Sequence, residues 1–234
     1  MMMPLNRHYD YGFGATGDAF FEAAKTLNKE AKPALFLDAL PNGFLLRHAM
    51  ELFLKSGIVV IHRRLKLPFG NSPPNSPPRV LVGTHWIPFF RVHSIAKLYT
   101  YWKSLVVQHA ETLVNLTKYK PDLTLPAGLD ECIAFIEKTD PEGTYYRYPA
   151  NRDPNEDKRK SPFKEVDREQ LFPPDLPKDK RIRALVVENE DHEFLRAFVL
   201  DETTEKEALG ELFRAAEWFS GFHAMTRSEL TGGS

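Results

Sequence analysis

The sequence predicts an all-α fold: a helical bundle with Pro-rich loop insertions and one segment that reads as either a small β-hairpin or a helix. Apolar residues recur at helical spacing in about five long stretches. Words rich in proline separate those stretches. Hydrophobic content is 42% against 27% charged, the balance of a chain that can bury a core.

The first helix is expected over 16–32, where Ala19, Phe20, Ala23, Ala24 and Leu27 share a face and Thr16 or Asp18 caps the start. The glycine-rich GFGATGD before it reads as a flexible lead-in. Pro33 stops or breaks the helix. The next one begins near Leu35, with Pro41 near its boundary or at a kink, runs on through 44–64, and contains the most informative block of the chain, NGFLLRHAMELFLKS at 42–56. A helix this apolar belongs inside a bundle, yet it carries Arg47, His48, Glu51 and Lys55. Glu51 and Lys55 have the spacing and order of a surface ion pair. LPFGNSPPNSPP at 67–78 cannot be regular structure and reads as an exposed loop. Helix resumes near His93 or Ser94 and continues to about Tyr119. Residues 127–139 form a fourth helix with Leu129, Ile133, Phe135 and Ile136 on its apolar side.

From 140 to 200 the chain reads as an irregular excursion from a single domain spanning 1–230. Tyr145, Tyr146, Tyr148, Phe163 and Phe172 are expected to pack it on the bundle. Within it, 181–200 is a hairpin turning at 188–191 or a helix; the Val-rich run before the turn favours the hairpin. A final helix covers 205–230. Residues 231–234 have the composition of a linker and are set apart from the domain.

A net charge of −1 gives no sign of a uniformly basic nucleic-acid sleeve. The single cysteine, Cys132, lies in an apolar helical run and reads as a buried structural thiol. One cysteine excludes an internal disulfide framework and fits a reducing, cytoplasmic setting. No apolar run reaches the roughly 18 residues of a membrane span, and the N-terminus lacks a secretory pattern. Zinc-like ligand spacing and phosphate-cradling glycine motifs are missing from the sequence, so neither a metal nor a cofactor is expected.

FLLRHAMELFLKS resembles the signature helix of HEPN-like proteins. HSIAKLY at 93–99 is similar to the start of their next helix, and YYRYPANRD at 145–153 to a Phe-Arg-Tyr-Pro word of one prokaryotic branch. The resemblance spans about half the chain, from Phe13 to Arg152. It implies an antiparallel four- or five-helix bundle, usually a homodimer. Family members act as metal-independent endoribonucleases in toxin–antitoxin and phage-defence systems, or bind RNA, nucleotides or partner proteins such as an antitoxin. The nuclease members carry an Arg followed a short interval later by a His in a late helix. This chain departs from that pattern: Arg214 and His223 of its last helix are too far apart, and the matching interval, Arg79 to His85, follows the Pro-rich loop.

Two readings stay open for each candidate residue. His48, tuned by Glu51, is a general acid or base with Arg47 on a phosphate, or a core histidine beside two solvated charges. His93 joins His48 over a phosphate, or is a helix-start residue bonded locally. A helix N-terminus there would attract an anion. Arg147, between Tyr146 and Tyr148, stacks on a base, or folds back as a clasp on an acid such as Glu51. Arg63, Arg64, Lys66 and Arg79 form a basic edge. Arg152, Lys158, Arg159, Lys160 and Lys164 are diluted by interleaved acids and read as a mixed-charge loop. The catalytic candidates are therefore His48, His93 and Arg47. The binding candidates are Glu51, Arg147, Tyr148, Arg79 and His85.

Overall fold

A computed structural model describes residues 4–30, 39–73, 76–141, 143–148, 161–171, 183–201 and 203–233. The protein is mostly helical, 58% of it, with two small sheets. The helices are α1 (Phe13–Glu30), α2 (Ala39–Leu65), α3 (Ile95–Asn115), α4 (Leu129–Thr139), the one-turn α5 (Arg168–Leu171) and α6 (Thr203–Leu230). The strands are β1 (Arg79–Val82), β2 (His85–Pro88), β3 (Phe163–Val166), β4 (Ala184–Glu188) and β5 (Phe194–Leu200). Among the described residues, no helix is long and apolar enough to cross a membrane. The chain divides into two compact units, one of residues 1–147 with 208–234, the other of 148–207.

The first unit is built around α2. It is buried on all sides from Asn42 to His62 at nearly every position, the mark of a central helix. Leu46, Met50, Leu54, Ile58 and Ile61 are fully enclosed. Trp102 of α3 is the hub of the aromatic core, edge-on to Trp218, Phe219 and Phe222 of α6 at 5.5, 5.5 and 4.9 Å. Gly57 makes this approach available, since a Cβ there would lie 2.7 Å from the indole nitrogen of Trp102. Helix α2 ends by a left-handed turn: Lys66 has φ +55°, and the Leu67 N–H donates to the His62 carbonyl at 2.8 Å.

Helix α1 starts at Phe13, earlier than the expected Thr16. The Asp10 carboxylate explains the shift by accepting from the Gly12 and Gly14 N–H groups at 2.9 and 2.7 Å, so neither Thr16 nor Asp18 is the cap. GFGATGD is thus the first turn of a helix rather than a loose lead-in. β1 and β2 form an antiparallel hairpin that departs from the all-α expectation. Its two-residue turn, Gly83-Thr84, has Gly83 at φ +60°, where L side chains are strained.

The second unit is a three-stranded antiparallel sheet in the order β3-β5-β4, with α5 beside β5. The favoured hairpin over 181–200 is present as β4 and β5, with a register shift at Val187/Glu188. β3 adds a strand that the sequence reading does not contain. Tyr145 and Tyr146 belong to the first unit, where Tyr146 is part of the core. Tyr148 and Phe163 belong to the second. Leu35, Phe172, Arg152, Lys158, Arg159 and Lys160 lie outside the described residues.

Candidate functional site

The polar residues of α2 meet at one place, and the structure closes most of them off. The Arg47 side chain is only 5% exposed. Its Nε lies 2.9 Å from Asp140 Oδ2, and its Nη2 donates to the His93 carbonyl at 2.9 Å. Gly143, at φ +75°, lets the loop after α4 lie against this guanidinium; a Cβ there would sit 2.5 Å from Nη1. Glu51 and Lys55 are not on the surface, because α2 has no solvent face at their level. Glu51 Oε1 takes the Lys55 ammonium at 2.6 Å, and Glu51 Oε2 lies 3.9 Å from Arg47. Burying two cations beside two carboxylates is tolerable only with such pairing.

His93 is the member that reaches solvent. Its side chain is 48% exposed, and Nδ1 lies 3.1 Å from Glu51 Oε1. Helix α3 begins after it, with Ser94 as cap: the Ser94 hydroxyl accepts from Lys97 N and donates to Glu137 Oε1. Glu137 Oε2 also accepts from the Ala96 N–H at 3.2 Å. The N-terminus of α3 already holds a carboxylate from α4, so the expected attraction for an outside anion is spent.

His48 is half-buried between two rings, edge-on to Phe20 at 4.6 Å and stacked on Phe44 at 5.8 Å. Burial holds its pKa below the ordinary value; Glu51 pulls it up, while Lys55, Arg147 and Arg47 push it down. Arg147 is exposed, its guanidinium 5.8 Å from the Phe44 ring. The clasp onto Glu51 is not made, since Arg47, Lys55 and His93 already surround that carboxylate. Tyr148 is half-exposed and belongs to the second unit, so the Tyr–Arg–Tyr word is divided between units.

Arg79 and His85 are elsewhere, on β1 and β2, and both line an open groove under the Pro-rich loop. They do not share a helix, so the helical Arg–His geometry of the nuclease pattern is not formed by this pair.

A second polar knot was not read from the sequence. The Ser56 hydroxyl donates to Asp10 Oδ2 at 2.5 Å and lies 3.3 Å from His223 Nδ1, while His223 Nε2 faces Asp18 Oδ2 at 3.6 Å. The serine, histidine and acids have the identities of a nucleophilic triad, but Ser56 is fully enclosed and no substrate reaches it. The knot ties α1, α2 and α6 together. Burial lowers the His223 pKa and raises that of Asp18, each partly offset by the other's charge. The signal available in the sequence was a serine and a histidine on the buried faces of two core helices. Cys132 donates its thiol proton to the Glu211 carbonyl, and burial pushes its pKa up to about 12, leaving it an inert structural thiol.

No family model, curated protein or solved structure matches this chain.

Proposed function

We propose that the protein is a HEPN-like binding module that engages a nucleotide, RNA or protein partner and does not cleave RNA with the residues of its central helix. The observation that carries this reading is the state of Arg47. A catalytic arginine must offer its fork to a phosphate. Here the guanidinium is enclosed and already divided between Asp140 and the His93 carbonyl. The cluster of Arg47, Glu51, Lys55 and Asp140 is then a clamp joining α2 to the start of α3 and the end of α4. A homodimer in a toxin–antitoxin or phage-defence setting is the context the resemblance implies for such a module.

The test is RNA cleavage by purified protein in EDTA. Well-folded protein is expected to leave structured and unstructured RNAs intact. Metal-free cleavage lost in His93→Ala or His48→Ala would overturn the reading and establish an endoribonuclease. One observation favours that second reading: His93 is half open to solvent with Glu51 behind its Nδ1, the orientation of a carboxylate-supported general base. In that mechanism His93 would take the ribose 2′-hydroxyl proton, and exposed Arg147 rather than Arg47 would meet the phosphate charge.

A further inference from the structure

The groove at the β1–β2 hairpin combines features that nothing in the helical bundle requires. Its floor is held by packing. A Cβ on Gly70, at φ +67°, would lie 2.5 Å from the Trp86 ring, so the Pro-rich loop presses its backbone on that indole. Phe69 and Tyr101 meet Trp86 edge-on at 6.5 and 5.6 Å, and His62 does so at 6.1 Å. The open volume is about 650 Å³, within the range of small-molecule sites.

The lining is chemically one-sided. It carries the Arg79 guanidinium, the His85 imidazole and the Ser72 and Ser76 hydroxyls, with no acidic residue among the described lining residues. Among the described residues, Arg79 has a single long contact, Nη1 to Ser72 Oγ at 3.4 Å, and no carboxylate partner. Among the described residues, the His85 ring has one polar side-chain contact, Thr84 Oγ1 at 3.3 Å. Beside Arg79 stand two rings: half-buried Trp86, and Phe90, which is 67% exposed and has the Arg91 guanidinium 5.7 Å from its centroid. In the hairpin register Arg79 pairs with Pro88 and Val82 with His85. Three ladder steps, an odd number, separate Arg79 from His85, so their side chains leave opposite faces of the hairpin, while Trp86, opposite Leu81, shares the face of Arg79.

A guanidinium with no carboxylate partner among the described residues, hydroxyl donors and nearby rings recognise an anion attached to a planar ring. We propose that this groove binds a nucleoside 5′-phosphate, with the phosphate on Arg79 and the base on Phe90 and Trp86. The proposal deepens the binding reading by naming a ligand class and a site away from the central-helix cluster. The same chemistry occurs in a free mononucleotide and at the 5′ end of an RNA strand.

The experiment is calorimetric titration of the full chain with AMP, adenosine, inorganic phosphate, and a short RNA with either a 5′-phosphate or a 5′-hydroxyl. AMP or the 5′-phosphorylated RNA is expected to bind at least about tenfold more tightly than its counterpart lacking either phosphate or base, as a charge-assisted contact and a stacked ring both contribute. Arg79→Gln and Phe90→Ala should each weaken that binding about tenfold or more while melting at the wild-type temperature, since neither side chain is buried. Preference for the RNA identifies a strand end as the source, and equal or weaker RNA binding identifies the free nucleotide. Absence of binding to both, or binding unchanged in Arg79→Gln and Phe90→Ala, overturns the proposal. RNA cleavage lost in His93→Ala would refute the binding-only reading and leave these titrations unaffected.

Discussion

Mild acid should loosen the protein through His62. This residue is 2% exposed at the end of α2, with Nε2 2.7 Å from the Tyr101 hydroxyl and Nδ1 3.2 Å from the Leu67 carbonyl. A carbonyl can only accept, so Nδ1 carries the proton and Nε2 accepts from Tyr101. The ring also stacks on Phe69 at 4.1 Å. A second proton, placed on Nε2, would cost the bond donated by Tyr101, whose hydroxyl must turn its own proton away in order to accept. Burial lowers the pKa to about 4, against the opposing pull of the Leu67 carbonyl and with a small push from His109. In the unfolded chain the pKa returns to about 6.5. The sign follows: the folded state binds the proton less well, so stability is fully present above pH 6.5 and is lost as pH falls from 6.5 towards 4. At pH 5 the unfolded imidazole is almost fully protonated and the folded one hardly so, which costs about 2 kcal/mol. His48 and His223 add in the same direction, so the measurement must be a difference. Urea unfolding of wild type and His62→Gln, at pH 7.5 and pH 5, isolates the contribution, because Gln can make both hydrogen bonds without titrating. The stability lost on acidification should be about 2 kcal/mol smaller in His62→Gln. Equal losses in the two proteins, or an NMR titration placing His62 near its ordinary value, would refute the argument.

Glu51→Gln should destabilise by about 3 kcal/mol or more in chemical denaturation, because it leaves the Lys55 ammonium and Arg47 buried beside a neutral amide. A loss under about 1 kcal/mol would mean the cluster is better hydrated than its burial indicates. Gly14→Ala should lower the melting temperature sharply, since its Cβ would fall 1.9 Å from His223 Cε1 and push the ring off Ser56; an unchanged melting curve would show the knot to be loose. Cys132 should resist iodoacetamide at pH 8 in the native protein and react once unfolded, and rapid native labelling would contradict its enclosed, high-pKa state.

The central helix was legible because its apolar run exceeded what one buried face needs, and α3, α4 and α6 because their periodicity was long. The partners of its charged residues were less so. Arg47 with Glu51 and Glu51 with Lys55 are one helical turn apart, and their proximity follows from spacing. Asp140 and His93 come from distant segments, and no local pattern points from them to Arg47. The burial of Glu51 and Lys55 is hidden for the same reason: polar identity argues for solvent until the partners are known. The β1–β2 hairpin carried a signal in Val-Gly-Thr, a glycine where a two-residue turn needs positive φ. β3 is four residues long, too short for alternation to stand out. Asp10 acts two to four residues upstream of the N–H groups it caps, which is why the first turn of α1 has the sequence signature of a lead-in.

The knot between Ser56 and His223 joins residues 167 positions apart. At ordinary rates of synthesis, roughly 5–20 residues per second, the apolar surface of α2 waits on the order of ten to thirty seconds for its last partner to leave the ribosome. During that interval the nascent chain presents unclosed greasy helices to the cell, and chaperone capacity rather than final stability should govern its yield. Fragments ending before α6 should collect in the insoluble fraction however well their own helices form.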